Sequence, residues 1–324
     1  MEEGVLIIVN NVKNRKEYYL YYLSLLNYKK FAFEYAKYLK VPSLRRLKNI
    51  SYFCYVDYGS KEVFDFKEHI SRFDHSLTTA LLTQKFASSK VEVLAGLFHD
   101  IATPCFSHVI DFFNEDYMNQ ESTEEYTEAI LKQDSYLLEC LKEDRIDVKD
   151  LIQFKQFSLV DIERPKLCAD RLDGVILPGI SWSKNFTKKD IYKIVSSLSV
   201  FQNEDGQKEL GFTSLEVGRK VLDESNFIDS LTHSSNDYFM MNLLVQIVRI
   251  ALQKQFVSYD SLYFYTEEEL ILILKKTQDP EILSLLDCFF HCKKEEITQM
   301  SNSAIKRKVL NPLVLGKRIE NLEK

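Results

Sequence analysis

Three of the chain's six histidines, together with Asp100, fall between Arg72 and His108, and the spacing within this stretch constrains the fold more than any other feature. It runs Arg72-Phe73-Asp74-His75-Ser76, continues through apolar residues, and closes on His99-Asp100-Ile101-Ala102-Thr103-Pro104-Cys105-Phe106-Ser107-His108. Neutral imidazole combined with carboxylate suits a borderline divalent cation, because the nitrogens supply affinity and the carboxylate offsets charge. His75 sits on one predicted helix, whereas His99 and Asp100 sit at the end of the next. Neighbouring helical residues point about 100° apart, so His99 and Asp100 can converge on one ion only at a helix end. Ala102-Thr103-Pro104 supplies that end, since proline removes a backbone donor and drives its predecessor out of the α region.

Composition supports a helical frame around this stretch. The chain has 324 residues, 45% hydrophobic and 28% charged, with only nine Gly and six Pro against many helix-compatible Leu, Lys, Glu and Tyr. A net charge of −6 argues against a general nucleic-acid binder, which carries a basic surface. A small anionic substrate is compatible with it where a metal and a few Arg or Lys create a local positive field. The cysteines at 54, 105, 140, 168, 288 and 292 show no disulfide spacing, Met1-Glu2-Glu3 is acidic where a secretory leader would be basic, and no apolar run reaches the roughly 18 residues of a membrane span. The expected location is a reducing cytoplasm, with no membrane partner.

Along the chain, Val5–Val9 reads as a strand and Arg15–Leu39 as a helix whose tyrosine stripe packs inward. Ser51–Tyr58 alternates like a short β-ribbon, turned by Gly59-Ser60. Helices follow over Ile70–Phe86, Val91–Phe98 and Phe106–Phe113, then an acidic stretch from Glu115 to Asp150 expected as a solvated helical insertion. Asp170 and Asp173 are three apart and so share one side of a helix that Pro178-Gly179 is expected to break. Further helices are expected over Lys188–Leu198, Leu215–Ser225 and Tyr238–Lys254, and Thr266 with Glu269 forms a helix-start signature. Cys288 and Cys292 lack the second ligand pair that a zinc site needs. The tail, with Lys306-Arg307-Lys308 and Lys317-Arg318, is expected as a solvated charged face, with an edge hairpin or an oligomer contact as alternatives.

The pattern His75, His99-Asp100, Asp170 resembles the HD superfamily of metal-dependent phosphohydrolases. Arg72-Phe73-Asp74-His75-Ser76 followed by His99-Asp100-Ile101 and Phe106-Ser107-His108 is similar to its deoxynucleoside triphosphate triphosphohydrolase branch, and Ala169-Asp170-Arg171-Leu172-Asp173-Gly174 supplies the final Asp. The similar motifs lie between residues 70 and 175. The resemblance implies an all-α fold: a helical HD bundle over residues 1–185, with the ribbon before the first metal histidine, and a helical extension over 186–324 packed on it. It implies His75, His99, Asp100 and Asp170 as ligands of a divalent ion (Mn, Fe, Co, Ni, Zn or Mg), with Asp100 and His108 catalytic. Arg72 would contact substrate phosphate, and Arg171 could reach it as well. The implied substrate is a nucleotide or another small phosphorylated molecule, and self-association is plausible. Several positions depart from the branch: Ala102-Thr103 stand where it often has a second histidine, Pro104-Cys105 replace its Gly-Pro, and Gly174 and Pro178 stand where its sugar-reading Tyr and Asp would be. A nucleotide monophosphatase, a phosphodiesterase or a non-catalytic nucleotide sensor could use the same centre.

Overall fold

The computed structural model describes residues 16–120, 122, 124–297 and 306–322, and the strand expected at Val5–Val9 lies outside them. At the centre stands the helix Arg72–Gln84, where every residue from Arg72 to Thr83 is buried. Its start is set by a capping box: Ser71 Oγ accepts from the Asp74 amide, and the Asp74 carboxylate accepts from the Ser71 amide. Burial on all sides follows from its neighbours, the helices Lys90–Phe98 and Ala169–Ser181, which pack against it. Gly96 permits the first of these approaches. A Cβ there would stand 3.1 Å from Thr83 Oγ1 and 3.5 Å from the Ala80 backbone.

Around this trio the chain is mostly helical, as expected, and one large buried cluster runs from Tyr19 to Ile319. The N-terminal helix is two helices, Glu17–Leu25 and Tyr28–Glu34, divided where Asn27 takes the left-handed conformation (φ 57°). Its stripe is core, with Tyr19, Tyr22, Tyr35 and Tyr38 buried. The acidic stretch folds as Thr127–Gln133, Ser135–Asp144 and Val148–Ile152, each burying a short apolar face rather than floating in solvent. Asp144 ties it down by accepting from Tyr38 (2.6 Å) and pairing with Lys37 (2.9 Å). In the C-terminal half, Leu215–Thr232, Ser235–Gln253, Glu267–Lys276 and Pro280–His291 are helices, and Thr266 and Glu269 form the expected capping box.

Two local expectations are corrected. Ser51–Tyr58 forms no ribbon: one isolated bridge, Ser51 to Ser71, is followed by Cys54 and Tyr55 with positive φ and a 3₁₀ turn over Val56–Tyr58. The alternating aromatics serve packing instead, Tyr55 stacking on Tyr58 and Phe289. Pro178 does not break its helix, which continues to Ser181. Every residue from Val175 to Ser181 is buried, and the Trp182 amide closes the end on the Pro178 carbonyl. Tertiary packing there outweighs the missing donor.

The strands lie elsewhere, in a small sheet ordered β1-β2-β3-β4. β1 (Leu198–Gln202) and β2 (Lys208–Phe212) form an antiparallel hairpin, β3 (Leu313–Val314) joins β2 in parallel, and β4 (Lys317–Arg318) turns back on β3. Gly211 is required where the tail docks, since a Cβ there would lie 2.5 Å from the Leu313 carbonyl oxygen. Arg318 locks the junction by pairing with the buried Glu209 (2.6 Å) and with Glu204 (2.7 Å). The end of the tail is thus an edge hairpin. The Asp205-Gly206 turn was a legible signal for the first hairpin.

Candidate metal centre and cleft

The central trio of helices brings the expected ligands to one place. His75 comes from the first turn of Arg72–Gln84, His99 and Asp100 follow the last turn of Lys90–Phe98, and Asp170 lies in the first turn of Ala169–Ser181. One ligating atom each from His75, His99 and Asp170 lies within 4.8 Å of the others, a group that could hold a metal ion. His75 Nε2 is 3.0 Å and His99 Nε2 3.7 Å from Asp170 Oδ1. Asp100 adjoins the group: its Oδ2 is 3.7 Å from His75 Nε2 and its Oδ1 3.7 Å from His99 Nε2.

Each imidazole is oriented by its other nitrogen. His75 Nδ1 bonds Asp173 Oδ2 at 2.7 Å, and the same oxygen accepts from Thr78 at 2.7 Å. His99 Nδ1 donates to the Gly96 carbonyl at 2.9 Å. Nε2 of both rings therefore turns toward the carboxylates, the arrangement of metal-binding histidines. His99 Nε2 is buried without a hydrogen-bond partner, a costly position for a polar atom that binding a cation relieves. The donor set fits a divalent transition metal.

Without an ion, the electrostatics show competition for a positive charge. Burial disfavours the His75 imidazolium, yet the bonds to Asp170 and Asp173 outweigh it and raise its pKa to about 10. Burial pushes the Asp100 carboxyl up, but His99, Arg72 and His75 hold it at about 2. Among the described residues a second possible group, Asp161, Cys168 and Asp170, shares one member with the first. Burial raises the Cys168 thiol to about 12, keeping it protonated, and Asp161 is taken by Arg171 at 2.8 Å. Among the described residues Cys288 and Cys292 join no such group.

The centre opens into a cleft of about 800 Å³. Arg72 is buried at its wall, with Nη1 on Asp100 Oδ2 (2.9 Å), Nε on Ser107 Oγ (3.3 Å) and its guanidinium 4.9 Å from the centre of the Tyr52 ring. His108 lines the same cleft, and Asp111 Oδ2 holds its Nδ1 at 2.8 Å, so Nε2 is its free nitrogen. Burial lowers the His108 pKa despite Asp111. Arg171 lines the cleft while bonded to Asp161 and to the Lys166 carbonyl. Gly174 and Pro178 border an adjoining recess of about 120 Å³ among Phe53, Trp182 and Met241.

Several participants escaped sequence reasoning. The Tyr52 ring lies tilted 4.8 Å from His75 and 4.9 Å from the Arg72 guanidinium, although the sequence marks it only as part of an alternating stretch. Asp111 follows His108 by three on a helix, a spacing that could have revealed the pair. Lys306 and Lys308 line the cleft, correcting the expectation that their run is a solvated face.

Residues 72–175 match the model of the HD domain. The matched span includes every proposed ligand. A Bacillus subtilis protein, the uncharacterized protein YdhJ, is 26% identical over 263 residues, covering 76% of this chain and 73% of that one. A metal-dependent phosphohydrolase of Cordyceps militaris is 30% identical over 141 residues, 44% of this chain and 40% of its own length. The crystal structure of a hypothetical protein from Aquifex aeolicus matches with a TM-score of 0.56 and 17% identity, covering 79% of this chain and 70% of that one, a likeness of fold. The matched span is thus seated in a helical body that extends well beyond it. Among the described residues no helix is long and apolar enough to cross a membrane.

Proposed function

We propose that the protein is a metal-dependent phosphohydrolase acting on a nucleotide or another small phosphorylated substrate, with deoxynucleoside triphosphate triphosphohydrolysis as the leading activity. The observation that carries this reading is the partnerless, buried His99 Nε2 facing His75 and Asp170 beside Arg72 and His108 in one cleft. His75, His99, Asp100 and Asp170 would hold the ion, which supplies Lewis acidity and lowers the pKa of water. Arg72, kept charged and oriented by Asp100, presents its guanidinium to a phosphate oxygen. His108, anchored through Nδ1 to Asp111, offers Nε2 to hold or deliver a proton at the leaving oxygen. Arg171 steadies the cleft wall through Asp161 and would contact phosphate from there.

The apolar recess around Gly174 and Pro178 favours a second reading of the substrate. Polar groups that would select a deoxyribose are missing at these two positions, so a monophosphatase or phosphodiesterase fits the same centre. A module that binds nucleotide without turnover stands as the non-enzymatic alternative.

The test is a turnover screen of purified protein against deoxynucleoside and ribonucleoside tri-, di- and monophosphates with Mn, Mg, Co and Ni, resolving products by chromatography. Release of intact triphosphate supports the leading activity, whereas orthophosphate moves the assignment to a phosphatase. Chelation should remove activity, and the matching metal should restore it. No release with metal bound, but nucleotide-dependent thermal stabilisation, would turn the assignment to the sensor. Asp173→Asn should weaken metal binding about 10- to 100-fold, the usual effect of removing the carboxylate behind a metal-binding histidine. Competition against a chelating dye measures it, and unchanged affinity would remove Asp173 from the centre.

A further inference from the structure

The cations of the cleft divide into two sets. Arg72, Arg171 and Lys155 each face a carboxylate: Asp100, Asp161 and Glu124, at 2.9, 2.8 and 2.7 Å. Arg164, Lys306 and Lys308 form no ion pair among the described residues. Arg164 reaches only the Val309 carbonyl (3.4 Å), Lys306 Nζ the Asn119 carbonyl (3.1 Å), and Lys308 Nζ makes no hydrogen bond there. All three have lowered pKa values, with burial the first cause and neighbouring cations acting in the same direction. Positive charge is therefore crowded into the cleft without a direct ion pair, and the carboxylates of Asp161, Asp170 and Asp237 offset it only from a distance. The acidic groups lining it are the site's Asp100 and Asp170, the paired Asp161 and Glu124, and the exposed Glu163.

Two of these cations come from the chain's far end. Residues 306–310 run without helix or strand across the cleft mouth, and their exposure alternates. Lys306, Lys308 and Leu310 line the cleft, whereas Arg307 and Val309 face outward, the period of two of an extended chain. The segment is pinned at both edges. The Lys306 amide donates to the Tyr117 carbonyl (3.0 Å), the Lys308 amide to Asp229 Oδ1 (2.7 Å), and the Asn311 amide to the Pro165 carbonyl (2.8 Å).

We propose that Lys306–Leu310 is a substrate-binding strap whose Lys306 and Lys308, with Arg164, form a second anion site beside the metal centre, for a ligand carrying two or more linked phosphates. A single phosphate would be satisfied by the centre and Arg72, leaving three cations with no ion-pair partner among the described residues. A chain of phosphates reaches both. This deepens the phosphohydrolase reading and rests on it for the nature of the ligand.

The test uses the full chain stripped of metal by a chelator, so that polyphosphate cannot act through the ion, and titrates inorganic tripolyphosphate and orthophosphate by calorimetry. Tripolyphosphate should bind at least about ten-fold more tightly, a difference of about 1.4 kcal/mol. Lys306→Met and Lys308→Met should each lower its affinity roughly ten-fold. Lys317→Met, on the exposed β4, should change nothing. Unfolding midpoints near that of the wild type identify variants that remain folded. Equal affinity for the two anions, or an equal loss in Lys317→Met, overturns the strap. Because no turnover is read, tripolyphosphate binding through the strap in a protein that fails every turnover assay would retain the strap and reject the hydrolase.

Discussion

Asp100→Ala should abolish turnover and strip the metal, reducing activity by at least about 10³-fold, the scale on which one member of a catalytic unit is felt. Two losses combine. The carboxylate stands 3.7 Å from both ligand nitrogens, so its removal takes negative charge from the ion's surroundings. It also accepts the Arg72 Nη1 bond at 2.9 Å, so a buried guanidinium loses its counter-charge. Breaking such a pair costs on the order of 2 to 3 kcal/mol, moderated by Ser107 and the Tyr52 ring. The double variant Arg72→Met/Asp100→Ala separates the effects: it should recover much of the stability and none of the metal. Metal content by mass spectrometry and thermal unfolding read the two independently. Full metal retention and turnover in Asp100→Ala would reduce the ligand set to His75, His99 and Asp170.

The largest effect on stability is expected at Glu267, outside the HD motif. This buried side chain accepts from the Ser51 amide through Oε2 (2.8 Å) and from the Phe106 amide through Oε1 (3.0 Å). It thereby clasps the segment before Arg72 to the turn before His108, where Phe106 and Ser107 both have positive φ. Glu267→Ala leaves two buried N–H groups without acceptors and should cost about 3 kcal/mol, lowering the unfolding midpoint by roughly 5 °C. Burial, with Asp57 adding to it, raises the carboxyl to about 8, against the pull of the two amides and Arg72. In the unfolded chain the same group titrates near about 4.3. Between those values the folded state holds a proton that the unfolded state has lost. This contribution to stability is complete below about pH 4.3, declines as pH rises toward 8, and is constant above. Glu267→Gln should remove that part of the decline, whatever it does to stability at a single pH. Parallel pH slopes in the two proteins would show that Glu267 does not titrate in this range.

The candidate ligands were legible in the sequence because three of them lie within one short stretch, at helix ends that capping and proline signals mark. Asp170 was reachable through its motif. The bond from Asp173 to His75 was not legible, since a spacing of three says which side Asp173 shares with Asp170 but not that His75 waits across the interface. The tail and Glu267 were illegible for a stronger reason: their partners lie 78 to 216 positions away, and no local periodicity encodes such a contact. Ser51–Tyr58 misled because alternation of aromatics satisfies a strand and a tightly turned, ring-packed loop alike. Pro178 misled because propensity is a local preference, and a helix buried on its last two turns need not obey it.

The strap and Glu267 also bear on the order in which the protein acquires function during synthesis. Helices carrying His75, His99 and Asp170 leave the ribosome long before residues 267 and 306–318 are made. A nascent chain could therefore gather its metal ligands while the cleft still lacks one wall and the clasp behind His108. Chemistry that depends on that wall is deferred until residues 306–318 have been made and have docked.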